Sequence, residues 1–181
     1  LTLTTPLGPD RLLLIGLSGH EAFSQLYSFD LDLIAENDAS IPFDQLLGKK
    51  VTAHVRSTQG GERHFHGICS RFEQGGRDPH FTSYRMEVVP EFWFLTRRTQ
   101  SRIFQQKSVP DILKKVLTGL TVQYQLTGHY DPRDYCVQYR ESDFAFASRL
   151  MEEEGIFYFF KHSDGGAQMV VADSPAAYAD V

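Results

Sequence analysis

The sequence predicts a mainly β protein with a few short α-helices, and three observations carry that expectation. Aromatic residues are abundant, with 14 Phe and 8 Tyr in 181 residues, a usage that favours strands. Apolar and polar residues alternate with period two through much of the first half, the pattern of strands with one buried face. Glycine-rich turns separate those segments at hairpin spacing.

The first ninety residues read as antiparallel β. "RLLLIGLSG" from Arg11 and "LYSFDLDLIAE" from Leu26 are strand candidates, and in the second Tyr27, Phe29, Leu31 and Leu33 alternate with Ser28, Asp30 and Asp32. "GLSGH" at Gly16–His20 is read as the turn between them. "SIPFDQLLGK" reads as a turn or two of helix, with Ser40 as cap, Pro42 near the start and Gly48 beyond the end. "KVTAHVRS" alternates through Val51, Ala53 and Val55. "TQGGE" is then expected to turn the chain into "RHFHGICSRF", and "EQGGRD" into "FTSYRMEVV". Residues 1–90 are accordingly expected to form one small β-barrel or strongly curled sheet.

Pro90 marks a change of texture and the expected start of a second domain, residues 91–181, that continues past the last residue given. "EFWFLTRRTQSRIFQQK" has no clear period. A helix follows at "SVPDILKKVLTG", where Ser108 caps, Asp111 has capping-box spacing, Gly119 ends it, and Ile112, Leu113, Val116 and Leu117 form the apolar stripe. "TVQYQLTG" and "DYCVQYRE" are short strands. A second helix starts after Ser142, with Asp143 at its positive end, Phe144, Ala147, Leu150 and Met151 on one face, and Gly155 as the left-handed exit. "IFYFFKH" is apolar on both faces and should be covered on both, and "SDGG" turns it into "AQMVVAD". The opening Leu1 and the closing "SPAAYADV" suggest a piece of a longer protein.

Charge and cysteine usage exclude some functions. Lys and Arg total 18 against 23 Asp and Glu, a net charge of −5, which disfavours general nucleic-acid binding; Arg97, Arg98 and Arg102 form the one basic cluster and are read as solvated. Cys69 and Cys136 form no CxxC pair, so chelation and redox chemistry gain no support. No apolar run reaches the length of a membrane span.

The candidate chemical groups are few. Glu152, Glu153 and Glu154 crowd the last helical turn, where the helix dipole disfavours acid, yet three consecutive side chains fan apart and cannot form a close dyad. Asp143 lies too far down the same helix to partner them, whereas Arg149, three and four residues before Glu152 and Glu153, can relieve their repulsion. His64 and His66 share a strand face and could face a metal, but no third ligand has characteristic spacing. "GLSGH" departs from a nucleophile elbow, and no phosphate-cradling loop is present. No catalytic, cofactor-binding or metal-binding residue is assigned, and no enzyme is expected.

One long stretch is more specific. "VQYRESDFAFASRLMEEEGIFYFFKH" resembles the most recognisable segment of the valine-glycine repeat protein G (VgrG) family, the spike proteins of bacterial type VI secretion systems. The family pattern falls on Gln138, Tyr139, Glu141, Ser142, Asp143, Phe146, Arg149, Leu150, Glu152, Gly155, Ile156, Tyr158 and Phe160. "SRIFQQKSVPDILKKVL", "SGHEAFSQLYSFDLDLIAEN" and "IPFDQLLGKKVTAHV" resemble further family segments, so the likeness covers nearly the whole chain.

The resemblance implies phage tail-hub-like β-barrel domains and a homotrimer. It implies seating on the hexameric tube of the hemolysin-coregulated protein, contact with baseplate proteins, and a PAAR-type tip and effectors carried by parts further along. It implies no cofactor and no nucleic acid, assembly in the bacterial cytoplasm, and export through the type VI apparatus to puncture target cells. A ring of that kind can bury the aromatic strands, with Phe157 and Phe159 as interface positions, and the acidic helix end can face a neighbour. The alternatives are a cell-wall glycan hydrolase module and a carbohydrate-binding β-barrel.

Overall fold

A computed structural model describes residues 1–56 and 60–178. The chain forms two compact units. One holds residues 1–21, 26–90 and 162–167; the other holds 22–25, 91–161 and 168 onward.

The first unit is a six-stranded antiparallel sheet. Its strands are β1 (Thr2–Thr4), β2 (Leu13–His20), β3 (Ser28–Glu36), β4 (Lys50–Arg56), β5 (Glu62–Arg77) and β6 (Phe81–Val89), in the spatial order β1-β4-β5-β6-β3-β2. The sheet curls until its edge strands β1 and β2 meet without joining in a ladder. Alternation gives the sheet one dry face: Phe29, Leu31, Leu33 and Ala35 of β3 are buried while Asp30 and Asp32 point out. Val51 and Ala53, Ile68, and Met86 and Val88 supply the rest of the concave face. Each such large apolar side chain removed from water contributes about 2 kcal/mol. Tyr27 is fully buried; its hydroxyl donates to the His66 carbonyl at 2.7 Å and its ring stacks on Phe29.

Three expectations for this unit are corrected. "GLSGH" is no turn but the second half of β2, which carries a register shift between Leu14 and Gly16. Gly19 is there because a Cβ would stand 2.4 Å from the Ser28 carbonyl oxygen across the ladder. "EQGGRD" is likewise strand, since β5 runs through to Arg77 and absorbs Gly75 and Gly76 in a bulge. The reversal comes afterwards, at Asp78, whose carboxylate accepts from the amides of His80 and Phe81 at 2.7 Å each. Ser40 caps nothing: a short 3-10 turn at Phe43–Gln45 follows Pro42, which makes no side-chain cap, and the Ser40 carbonyl instead accepts from Arg11. Of the "TQGGE" turn, Thr58 and Gln59 lie outside the described residues, while Gly60 and Gly61 both adopt positive φ.

The second unit interleaves strands and helices. After a 3-10 segment at Glu91–Arg97 come β7 (Thr99–Lys107), α1 (Val109–Val116), β8 (Val122–Gln125), β9 (Arg133–Ser142) and α2 (Asp143–Glu153). β10 (Phe157–Ser163) and β11 (Gly166–Ala172) follow, and then a 3-10 turn at Pro175–Tyr178. The periodless "EFWFLTRRTQSRIFQQK" thus resolves into a 3-10 segment and a strand. β7 and β9 pair as an antiparallel ribbon, and β11 lies between β10 and β8, parallel to β8. α1 is capped as its sequence predicts: Ser108 Oγ accepts from the Asp111 amide and also bonds the Asp111 carboxylate. Its stripe of Ile112, Leu113 and Val116 is fully buried.

The aromatic strand β10 is covered from within the chain. Phe23 packs edge-on against Phe157 and Phe159, and Tyr178 joins the same cluster. Phe159 is buried, Phe157 is half-buried, and Phe23 and Tyr178 leave part of the cluster at the surface. Both cysteines are free and buried, and burial pushes the Cys69 thiol up to about 12 and the Cys136 thiol above its ordinary value.

Candidate functional site

The residues singled out from the sequence converge on α2 and the ribbon beneath it. Ser142 ends β9 in an extended conformation and its hydroxyl accepts from the Ala145 amide at 3.0 Å, so the helix begins at Asp143. Phe146, Leu150 and Ile156 are buried, with Ala147 and Met151 on the same face. Phe144, expected on that face, is only half-buried and meets Phe92 edge-on instead. Gly155 leaves the helix at φ +67°, the left-handed exit its sequence predicts.

Asp143 is the centre of the site. Its side chain is 0% exposed, and both carboxylate oxygens are engaged. Arg98 Nε donates to Oδ2, while Oδ1 accepts from Arg102 at 2.6 Å and from the Gln138 amide at 2.8 Å. Gln138, also fully buried, accepts from Arg102 Nε at 2.9 Å and donates to the Glu141 carbonyl. Arg98 further donates to the Val116 carbonyl at the end of α1, and the Asp143 amide donates to the Arg98 carbonyl. One carboxylate thus ties α2 to β7, β9 and α1. Of the arginines read as solvated, Arg97 is exposed and lies 4.8 Å over the Trp93 ring, whereas the partly exposed Arg98 and Arg102 are in addition the counterions of Asp143.

A second chain of charges runs along the outer side of α2. Arg149 bridges Glu141 at 2.8 Å and Glu153 at 3.1 Å, the latter four residues on. Arg133, at the start of β9, grips Glu153 at 2.7 Å and Glu154 at 2.6 Å through separate guanidinium nitrogens. The Arg133 bond is the main reason the Glu153 carboxyl lies below its usual range; desolvation opposes the shift and Arg149 reinforces it. Arg149 therefore relieves Glu153 but not Glu152, and among the described residues no ion pair reaches Glu152. The acid at the negative end of the helix is tolerated because a guanidinium from another element holds two of the three carboxylates.

Nothing in this arrangement resembles acid–base machinery. Asp143 has no free oxygen and no access to solvent, and Glu153 and Glu154 are clamped by the same arginine. Glycoside hydrolysis needs two carboxyl groups that face each other across an open cleft. Local sequence could not reveal Arg98, Arg102 and Arg133 as partners, because they lie 45, 41 and about 20 residues from the groups they bind. Of the remaining motif positions, Tyr158 and Phe160 are buried on β10, and Tyr139 is exposed on β9.

That exposure belongs to a stripe. Tyr135, Val137 and Tyr139 alternate along β9 with the buried Cys136 and Gln138, and Ile103 of β7 stands directly opposite Val137. Ile103, Tyr135 and Tyr139 are 65–69% exposed. Single exposed apolar residues are ordinary, but a contiguous row on one face of a ribbon is the kind of surface that partners cover.

The chain thus combines a curled antiparallel sheet with a strand-helix unit whose second helix is held by an internal carboxylate. Its class is that of phage tail hub proteins: residues 20–181 match the phage tail baseplate hub (GPD) family, and the chain belongs to that family. It is 42% identical over 186 residues to the type VI secretion system spike protein VgrG1c of Pseudomonas aeruginosa, covering 98% of this chain and 26% of that protein. It is equally identical to VgrG1a of the same organism over 185 residues, 97% of this chain and 29% of the relative. The chain therefore spans little more than a quarter of the curated relatives it matches. Among solved structures, the fold is similar at a TM-score of 0.87 and 23% identity to the E. coli c3393 protein, a type VI secretion component with structural similarity to T4 bacteriophage tail proteins gp27 and gp5. That likeness covers 96% of this chain and 49% of the other.

Proposed function

We propose that this chain is the amino-terminal hub segment of a type VI secretion spike, and that it acts by assembly rather than by chemistry. The observation that carries the reading is the hub-family match over residues 20–181 together with 42% identity to named spike proteins across the same span. In this reading residues 1–90 form the first hub domain and 91–181 much of the second. Three copies assemble around a threefold axis and seat on the hexameric tube, with baseplate proteins alongside. A tip protein and effectors associate through parts beyond this segment, and the assembled spike leaves the cytoplasm through the apparatus. The locked α2 gives the module rigidity, and the Ile103–Tyr135–Val137–Tyr139 stripe offers an apolar face for a neighbouring copy. Most of the thirteen motif residues serve this framework as cap, core, turn or ion-pair positions, while Tyr139 belongs to the exposed stripe and Glu152 lies at the exposed helix end, with no catalytic member.

The test is a complementation. A bacterium deleted for its own spike receives either the full-length protein or the same protein lacking residues 1–181, and release of tube protein into the medium is measured. Release is expected only with the intact protein. Equal release from the truncated form, at equal expression, would remove the hub assignment.

A further inference from the structure

We infer that His54 and His64, paired across the β4–β5 ladder, form with Asp164 a binding site for a divalent transition-metal ion of the Zn2+ type. The two histidines are direct partners in register, so both imidazoles stand on one face of the sheet. Their Nδ1 atoms are 3.1 Å apart and their rings are perpendicular, with centroids 5.2 Å apart. Two imidazole nitrogens at about 2.0–2.1 Å from one zinc ion stand roughly 3 Å from each other, so the pair already has the bite of a chelate. The third group comes from far along the chain. Asp164, in the exposed turn between β10 and β11, places a carboxylate oxygen such that the ligand atoms of all three residues lie within 4.8 Å of one another.

A separate contact bears on the tautomer. Thr4 Oγ1 lies 2.9 Å from His54 Nε2, on the side of the ring away from His64. With Nε2–H donating to that hydroxyl, the lone pair of His54 resides on Nδ1 and faces the site, as an outer partner does for a metal-bound histidine. Glu62 adds negative charge, its Oε1 4.0 Å from His54 Nδ1 and bonded by Arg56 Nε at 3.3 Å. Two imidazoles with carboxylates suit zinc, cobalt or nickel; calcium and magnesium prefer oxygen alone. The pair weighed and set aside in the sequence, His64 with His66, is not the one that meets here; His64 faces His54 across the strands. His66 is buried, and its Nδ1 is engaged by Thr52 Oγ1 at 2.8 Å. An ion here would fasten the turn at Asp164 to strands β4 and β5 within the first unit. It would raise thermal stability by selective binding to the folded chain.

The experiment titrates the chain with zinc chloride by calorimetry and follows thermal unfolding in parallel. One saturable equivalent and a raised Tm are expected. His54→Gln and His64→Gln should abolish both effects, and Asp164→Asn, on an exposed turn, should weaken binding by about tenfold or more. His129→Gln should change neither, although His129 and Asp131 form an exposed pair at 3.0 Å. Circular dichroism confirms that each variant is folded. The site is overturned by absent saturable binding, by wild-type binding in His64→Gln, or by unchanged affinity in Asp164→Asn.

Discussion

At the scale of single residues, Asp143 decides most. A carboxylate removed from water is stabilised only while its partners remain, and here two arginines and a glutamine amide supply them. Asp143→Asn keeps the shape and deletes the charge, leaving Arg98 and Arg102 without their counterion. Both arginines are partly exposed and regain some hydration, so the expected loss is about 2–3 kcal/mol, below the range for a fully buried pair, read from urea unfolding midpoints. A change within 0.5 kcal/mol, roughly what an unremarkable surface position gives, would sink the idea that Asp143 ties the unit together. The sequence placed Asp143 beside a helix N-terminus and identified its cap. It did not show that the residue is buried, because burial follows from strands and helices that fold over it from elsewhere.

Glu153 carries the pH dependence of the same region. Its folded carboxyl titrates below the ordinary value of 4.5. A depressed pKa means the native state holds the charged form more tightly than the unfolded chain does. The resulting stability is present above about 4.5 and is lost as pH falls through the folded value. Arg133→Gln removes the main cause. The variant should therefore lose less stability than the parent between pH 5 and pH 3, starting from a lower plateau at neutral pH. Parallel acid limbs in the two proteins would contradict this.

At the scale of elements, the close approach of strands sets the limits. Gly67 of β5 faces β6 so tightly that a Cβ would stand 2.5 Å from the Val89 carbonyl oxygen and 2.7 Å from a Val88 methyl. Gly67→Ala must push β6 away along its whole ladder, with an expected cost of about 1–3 kcal/mol. Gly76→Ala, where a Cβ meets nothing within 4 Å, is the matched control and should fall near zero. Strands with one wet and one dry face are legible from residue order alone: β3 and β6 follow their alternation closely, whereas β4 buries Val51, Thr52 and Ala53 in succession. β7 is hidden from such a reading, since Phe104 alone of its nine residues is buried and its polar positions mask the period. The double-glycine signal misleads because glycine serves bulges as well as turns, and Gly75 and Gly76 lie in the former.

At the scale of the whole molecule, the proposed assembly makes a quantitative demand. Light scattering over a wide concentration range should show the mass rise from 20.6 kDa towards three times that value. Ile103→Asp, which places a charge in the middle of the exposed stripe, should hold it at the monomer while leaving the circular dichroism spectrum intact. A stable dimer fits no threefold spike and would contradict the hub reading. At this scale the sequence is informative about kind and silent about partners. Motif order along the chain marks the family, but a surface that becomes an interface differs from any other only by where its exposed apolar residues meet in space.

The two buried thiols give the chain a clock. Cys69 is wholly enclosed and Cys136 nearly so, and both are held as neutral thiols at physiological pH. One sits in the curled sheet and the other in the β7–β9 ribbon, so each reports the opening of its own unit. A thiol-reactive dye added to the native protein would remain colourless until a unit opened, and the order in which the two sites react would show which gives way first. The same concealment keeps both thiols of this chain from crosslinking while its units stay closed.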